Sequence, residues 1–340
     1  MKLSEELKWR GFVNQTTLTD IKDLDNKKLT FYLGTDPSAP SAQIGNLAVI
    51  MMARLFASHG HKAVLLVGGA TGMIGDPDGK KQERDLLPLE QIKTNKASIA
   101  KQYKQVFGDI EFDLVDNYDW FKDIGYLDFL RDVGKHVPMR QMLGRDFVQS
   151  RLKEDGSGIS FAEFSYSLIQ GFDFVTLYRN KGCTLQICGA DQWGNSITGV
   201  DLVRRMEGAE AHVWSAPLIV NKSTGIKFGK TEGGAVWLDA NMTSPYKFYQ
   251  FWLNTDDEGV GDYLKIYTLL NKEQVDDIMA NFSAKPHERL AQRTLAYEVT
   301  KIVHGEQIAD SLVRITNVLF GKGDLSEVSE QDFALIKQEL

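Results

Sequence analysis

The stretch that most constrains this chain is residues 31–47, Phe-Tyr-Leu-Gly-Thr-Asp-Pro-Ser-Ala-Pro-Ser-Ala-Gln-Ile-Gly-Asn-Leu. Phe31-Tyr32-Leu33 reads as the end of a short buried strand. Gly34 to Ala42 is turn chemistry, with two prolines, two serines and an aspartate that cannot continue the strand. From Ile44 the pattern changes: Ile44, Leu47, Ala48, Met51, Met52, Leu55 and Phe56 recur at helical spacing, so a helix runs from near Gln43 to Gly60. A strand, a polar loop and a helix N-terminus make a ready anion site, because the N–H groups of the first turn point outward unpaired. Gly45 leaves room for a flat ring or a phosphate. Taken alone, the stretch reads equally well as a plain βα connection.

The rest of the chain builds an α/β fold around it. Residues 1–30 read as a helix with its turn, in which Leu7, Trp9 and Phe12 pack. Ala63-Val-Leu-Leu-Val is a continuous apolar run, as expected of a parallel strand buried on both faces. Gly68-Gly-Ala-Thr-Gly-Met-Ile-Gly-Asp-Pro follows; its spacing is neither a dinucleotide fingerprint nor a Walker loop. Its glycines suit close backbone approach by a small ligand, to which Asp76 presents a carboxylate. Helices are expected over 88–107 and 125–155. Ser165 to Leu177 forms a helix that sets Tyr166, Gln170 and Asp173 on one face among apolar neighbours, so that face looks into a buried cleft. Cys183 to Cys188 is another buried strand, leading to Gly189-Ala-Asp191-Gln192, a carboxylate and an amide at the strand edge where open α/β sheets bind ligands. A helix over 195–206 returns, and Pro217-Leu-Ile-Val closes the sheet. Residues 246–320 are helical in pattern.

Residues 227–231, Lys-Phe-Gly-Lys-Thr, lie in a Gly-containing segment with little periodicity. Two lysines three apart on a pliable loop suit transient clamping of a polyphosphate.

Gln43-Ile-Gly-Asn46 resembles the His-Ile-Gly-His element of class I aminoacyl-tRNA synthetases, and Lys227 to Thr231 resembles their Lys-Met-Ser-Lys-Ser loop in its Lys-Phe-Gly-Lys-Ser/Thr form. Val67 to Pro77, Asn117-Tyr-Asp-Trp, Phe129 to His136, Gly158 to Tyr166, Ala190 to Asn195 and Ser244 to Trp252 are similar to bacterial tyrosyl-tRNA synthetases, in order and at matching spacing over roughly residues 5 to 320. The resemblance implies an α/β fold: a Rossmann-like parallel-sheet catalytic domain over 1–217 with a helical, dimerisation insertion near 105–160. A mobile linker (218–245) carrying Lys227–Thr231, a helical anticodon-side domain (246–325) and an acidic segment (326–340) follow. The acidic segment reads as a tail or as a linker to a C-terminal RNA-binding domain.

The implied activity is tyrosine–tRNA ligation: L-tyrosine and ATP, with Mg²⁺ as part of the substrate complex, give tyrosyl-adenylate, and the tyrosyl group passes to tRNA(Tyr). No protein-bound metal or prosthetic group is expected. Tyr32, Asp76, Tyr166, Gln170, Asp173 and Gln192 are the expected tyrosine contacts. Gly34, Asp36, Gly45, Gly189, Asp191, Gln192 and Lys230 are expected at ATP. Ser38, Gln43, Asn46, Lys80, Arg84, Lys227, Lys230 and Thr231 are expected at the reacting phosphates. The first motif departs from its family, with Gln43 and Asn46 where both histidines stand and Ser38 where threonine is usual. A side-chain amide still donates hydrogen bonds, so an active enzyme is expected. Tyr32 with Asp173 disfavours a tryptophanyl enzyme. A synthetase-like paralogue with a non-tRNA acceptor, or a binding module, is the alternative.

A net charge of −7 argues against indiscriminate nucleic-acid binding, which leaves a local basic patch as the footprint for tRNA. Arg140, Arg145, Arg151 and Lys153 form one candidate patch, and Arg204-Arg205 another. Phe161 reads as a core aromatic or, by resemblance, as an anchor of a homodimer interface. Two cysteines cannot build a disulfide framework. No apolar run reaches the ~20 residues of a membrane span, and no secretory signal opens the chain, so the expectations are cytoplasm and no membrane.

Overall fold

The computed structural model describes residues 1–77, 86–153, 156–225, 228–231, 234–321, 323–324, 326 and 328–337. The chain opens with α1 (Leu3–Arg10), the two-residue strand β1 (Gln15–Thr16) and α2 (Asp23–Asn26). Strand β2 (Thr30–Thr35) and helix α3 (Ile44–Ser58) flank the proline loop, and β3 (Lys62–Val67) follows. Then come α4 (Thr71–Ile74), α5 (Leu89–Phe107) and β4 (Asp113–Val115). Four short helices succeed them: α6 (Tyr118–Phe121), α7 (Tyr126–Asp132), α8 (Met139–Leu143) and α9 (Asp146–Arg151). The long α10 (Phe161–Lys181), β5 (Cys183–Gly189), α11 (Trp193–Glu207) and β6 (His212–Ala216) complete the α/β part.

The six-stranded sheet has the order β1-β6-β5-β2-β3-β4. All neighbours from β6 to β4 pair in parallel, and only β1 runs antiparallel. From β2 the chain moves outward through β3 and β4, then crosses to the other side for β5 and β6. The reversal lies between β2 and β5, and the crevice beyond the carboxyl ends of those two strands is where such sheets bind ligands. Burial on both faces explains the apolar run: all five residues from Ala63 to Val67 are buried, with helices covering the sheet.

Local chemistry sets the element ends. Ser160 accepts the Glu163 N–H at 3.2 Å and starts α10, four residues earlier than apolar spacing alone predicts. Trp214 is fully buried, and its indole N–H donates to Phe12 O at 2.8 Å, tying β6 to the N-terminal segment. The closing strand is therefore His212–Ala216 and not Pro217-Leu-Ile-Val: the continuous run of buried residues from Val213 stops at Ala216, and Pro217 has no N–H to give to a ladder.

Beyond the sheet, the short strands β7 (Lys230–Thr231) and β8 (Gly234–Ala235) pair antiparallel. Helices α12 (Pro245–Leu253), α13 (Val260–Tyr267), α14 (Lys272–Ala284), α15 (Leu290–His304) and α16 (Glu306–Leu319) follow. One continuous apolar core runs from Leu3 through the sheet to Ile336. Arg10, itself buried, reinforces this join by donating to Lys265 O, Thr268 O and Leu270 O at 2.6–3.1 Å, which supplies donors to carbonyls at the end of α13. The acidic segment is more than a tail: it carries α17 (Glu330–Ile336), whose Asp332 is buried and takes Arg314 Nη2 at 2.9 Å.

Candidate active site

The proline loop leaves β2 at the reversal point and delivers the chain to the N-terminus of α3. Its shape is imposed from α5. Asn95 Nδ2 donates to Pro37 O at 2.9 Å, Gln102 Oε1 accepts the Ala42 N–H at 2.9 Å, and Tyr103 OH donates to Thr35 Oγ1 at 2.6 Å. Asn95, Gln102 and Tyr103 are all buried. None carried a sequence signal as a site residue, because what places them beside the loop is packing across 58 to 68 positions.

Four of the expected side chains meet below the loop in two hydrogen-bonded pairs. Tyr166 OH donates to Asp36 Oδ2 at 2.7 Å. Gln192 Nε2 donates to Asp76 Oδ2, and Asn195 Nδ2 reaches Asp76 Oδ1 at 3.3 Å. Asn195 Oδ1 in turn accepts Arg145 Nη1 at 2.6 Å, so an arginine at α9 orients an amide on α11. Gly68 is required here by proximity: a Cβ on it would lie 2.0 Å from Thr71 Oγ1 and 2.8 Å from Asp36 Oδ1.

Deeper still lies Asp173. Its carboxylate accepts Asn117 Nδ2 at 3.1 Å and Trp120 Nε1 at 3.0 Å. Asn117 is itself fixed, accepting the Ala70 N–H at 2.7 Å and donating to Thr71 Oγ1 at 3.1 Å. Burial pushes the Asp173 carboxyl well above the usual carboxylate range, while the two donors pull against it. Tyr32 is buried beside it, and burial together with the Asp173 charge pushes its phenol well up. The Tyr32 OH and Gln170 Oε1 are buried without a hydrogen-bond partner. Buried polar groups in folded proteins are mostly hydrogen-bonded, so these two unpartnered atoms are candidates for contact with a polar ligand. Asn117 and Trp120 belong to a stretch singled out in the sequence, yet only their contact with Asp173 gives them a role.

At the other end of the site, Gln43 is the residue preceding the first turn of α3, and Asn46 Oδ1 accepts the Gln43 N–H at 3.0 Å. That bond commits the Asn46 carbonyl oxygen and leaves its NH₂ as the outward group. Asn46 and Ser38 are exposed, Gln43 and Gly45 half-buried. Gly34 is the last residue but one of β2, Gly189 ends β5, and Asp191 is exposed just beyond it. Lys230 and Thr231 form β7. Lys80, Arg84 and Lys227 lie outside the described residues.

One member of the first basic patch does not hold as read. Arg151 is buried, with Nη1 and Nη2 each 2.8 Å from the two Glu163 oxygens and Nε 2.6 Å from Gly158 O. A guanidinium with both edges occupied inside the protein cannot reach a phosphate, so Arg151 is a structural ion pair and not a tRNA contact. Sequence reasoning missed this because nothing in it pairs residues 151 and 163. Lys153, Arg204 and Arg205 are exposed. Among the described residues no cluster of His, Cys, Asp and Glu could hold a metal ion, and no helix is long and apolar enough to cross a membrane.

Comparison with known proteins agrees with this geometry. The model of the class I tRNA synthetases for tryptophan and tyrosine matches residues 24–321. The tyrosine–tRNA ligase of Bacteroides fragilis is 47% identical over 339 residues, which cover 98% of this chain and 78% of that protein. That of Geobacillus stearothermophilus is 48% identical over 337 residues, covering 97% and 79%. Among solved structures, a C-terminally truncated mitochondrial tyrosyl-tRNA synthetase from Aspergillus nidulans superposes with a TM-score of 0.84 at 31% identity, covering 94% of each chain.

Proposed function

The chain belongs to the class I tRNA synthetases of the tryptophan and tyrosine group and has tyrosine–tRNA ligase activity, and we propose how its residues divide the work. The observation that carries the proposal is the unpartnered Tyr32 hydroxyl beside the doubly hydrogen-bonded Asp173. The phenolic OH of a bound tyrosine donates to Asp173 and accepts from Tyr32, so both buried groups are satisfied only by a hydroxylated ring. Rejection of phenylalanine by about 10⁵ is the standing example of this rule, drawn from tyrosyl enzymes themselves, and is not a value derived from this pocket. Asp76, Tyr166 and Gln170 hold the ammonium end, with Gln192 alongside. Gly34, Asp36, Gly45, Gly189 and Asp191 face the adenosine.

In the first step a carboxylate oxygen of tyrosine attacks the α-phosphorus of MgATP in line. The bond to the β-phosphate oxygen breaks, and pyrophosphate leaves with the electron pair. Catalysis is positioning and charge stabilisation, with no covalent protein intermediate. The Gly45 N–H in the first turn of α3, the side-chain amides of Gln43 and Asn46, the Ser38 hydroxyl and Thr231 donate to phosphate oxygens. Lys80, Arg84, Lys227 and Lys230 supply positive charge. In the second step a ribose hydroxyl at the 3′ end of tRNA(Tyr) attacks the acyl carbon and releases AMP, with Lys153, Arg204 and Arg205 against the RNA backbone. The exposed apolar face of Tyr126, Leu127, Met139 and Phe161 meets a second copy of the chain in a homodimer. The compartment is the cytoplasm.

ATP–pyrophosphate exchange with each amino acid, followed by charging of total tRNA, tests the reading. Exchange and charging are expected with tyrosine alone. Tyrosine-dependent exchange that phenylalanine supports equally well would refute the Tyr32–Asp173 assignment.

A further inference from the structure

Two residues, Phe228 and Gly229, stand between Lys227 and Lys230 in the chain. Phe228 is buried, although it lies in a polar, glycine-rich stretch where a solvated side chain would be unremarkable. Its ring stacks on Tyr263, with centroids 4.1 Å apart and planes at 26°. Phe251, Trp252 and Tyr267 surround it at 5.3, 5.6 and 5.9 Å. All four cage residues stand on α12 and α13, so the ring is seated in the helical part of the molecule. Trp252 Nε1 and Tyr267 OH are buried without partners, and a phenylalanine ring offers neither an acceptor atom. Ring contacts therefore hold the side chain in its seat.

The next residue faces the other way. Gly229 has φ +90°, and a Cβ on it would lie 2.4 Å from Ile44 Cγ1. Ile44 is the first residue of α3, inside the motif that carries Gln43 and Asn46. Backbone bonds stitch the same join: Ile44 N–H to Val236 O at 3.1 Å, Val236 N–H to Gly229 O at 3.1 Å, and Leu238 N–H to Ala42 O at 3.0 Å. Phe228 N–H also donates to Ile219 O at 2.9 Å. Two consecutive residues thus bridge the helical region to the N-terminus of the phosphate-binding helix.

We propose that Phe228 is a positioning residue for adenylate formation, which seats the lysine-bearing segment in the aromatic cage and against Ile44 at the start of α3. It touches no substrate and acts through the lysines. The inference rests on the assignment of those lysines to the leaving phosphates, which Lys230→Ala tests by itself. Misplacement of a charged group by about 1 Å costs on the order of 10²-fold in rate.

The experiment is a double-mutant cycle in the full chain, read by single-turnover adenylate formation and by equilibrium binding of tyrosine. Phe228→Ala should slow adenylation about 10²-fold while tyrosine binding stays within about two-fold, and Phe228→Leu, which keeps apolar volume in the cage, should recover part of the rate. In the Lys230→Ala background, Phe228→Ala should cost little more. Full parental rate in Phe228→Ala, or losses that multiply independently in the double variant, would overturn the proposal. If Lys230→Ala alone is silent, the lysine assignment falls instead. Should Phe228→Ala fail to bind tyrosine through misfolding, the same cycle with Phe228→Leu decides.

Discussion

The two ends of the proposed active site are built differently. At the tyrosine end, Asp173, Asn117 and Tyr166 are buried, and each is held by hydrogen bonds to groups from other elements. At the proposed phosphate end, Gln43 and Asn46 are half-buried or exposed, and the side-chain bond between them, Gln43 N–H to Asn46 Oδ1, uses an acceptor and spares the side-chain donors. A site that must reject a ring lacking one hydroxyl needs rigid walls whose unmet hydrogen bonds only that hydroxyl completes. A site that must meet charge developing on a leaving group needs donors still free to be used. The contrast also explains why amides can stand where the family carries histidines. The task there is donation at a helix N-terminus, and an NH₂ group donates without changing its charge with pH.

The sharpest way to break the contrast is at Asp173. Asp173→Ala leaves Asn117, Trp120 and the substrate hydroxyl short of a partner in a buried site, and kcat/KM for tyrosine should fall by about four decades. Steady-state exchange kinetics check it, and near-normal tyrosine activation would show that the wall is elsewhere. Next in size is Lys230→Ala, which should reduce single-turnover adenylation by about two decades or more, the scale of one lost charge-stabilising donor. The KM for tyrosine should hardly move.

A finer cut falls within α3. Asn46→Ala should cost about 3 kcal/mol of transition-state stabilisation. Asn46→Asp keeps the acceptor for the Gln43 N–H but replaces the donor with a negative charge, so it should be slower than the alanine variant. If Asp restores the rate, the side chain serves the helix and not the phosphate. In the parent, adenylation should show no titration from this motif between about pH 6 and 8, where an unperturbed imidazole changes charge.

The smallest effect concerns stability, and it sets the α/β region beside the helical one through one desolvated histidine in each. Burial lowers His61 and His304 to about 4. His61 accepts the Leu29 N–H at Nδ1 (3.2 Å) and faces Leu24 O with Nε2 (3.0 Å), an arrangement that suits only the neutral ring. His304 packs edge-on against Phe248, centroids 4.8 Å apart, with Nε2 unpartnered. A depressed histidine pKa stabilises the fold above the unfolded value near 6.5, and that contribution is lost as pH falls toward 4. The loss is up to about 3 kcal/mol for each ring. Denaturant midpoints across that window should fall with acid in the parent. His304→Phe should reduce the slope, since it removes one titrating ring and no hydrogen bond that the structure records.

Much of this was legible in the sequence where periodicity and turn chemistry act locally. The spacing from Ile44 to Phe56 marks α3, the run Ala63 to Val67 marks a doubly buried strand, and the three-and-four steps of Tyr166, Gln170 and Asp173 mark one helix face. What was not legible depends on partners distant in the chain. Arg151 reads as a surface cation until Glu163 meets it inside the protein. Asn95 and Gln102 read as ordinary helix polar positions until they are found holding the proline loop. Pro217-Leu-Ile-Val reads as a cleaner apolar run than His212–Ala216, whereas the ladder needs N–H donors that proline lacks.

The central claim is that one end of the site selects and the other reacts. It is tested most directly by measuring the tyrosine dissociation constant without ATP beside the single-turnover adenylation rate, in the parent, Asp173→Asn and Gln43→Ala. The account predicts that Asp173→Asn weakens tyrosine binding sharply, while Gln43→Ala leaves it within about two-fold of the parent and slows adenylation about 10²-fold. Gln43→Ala weakening tyrosine binding as much as it slows the reaction would contradict it.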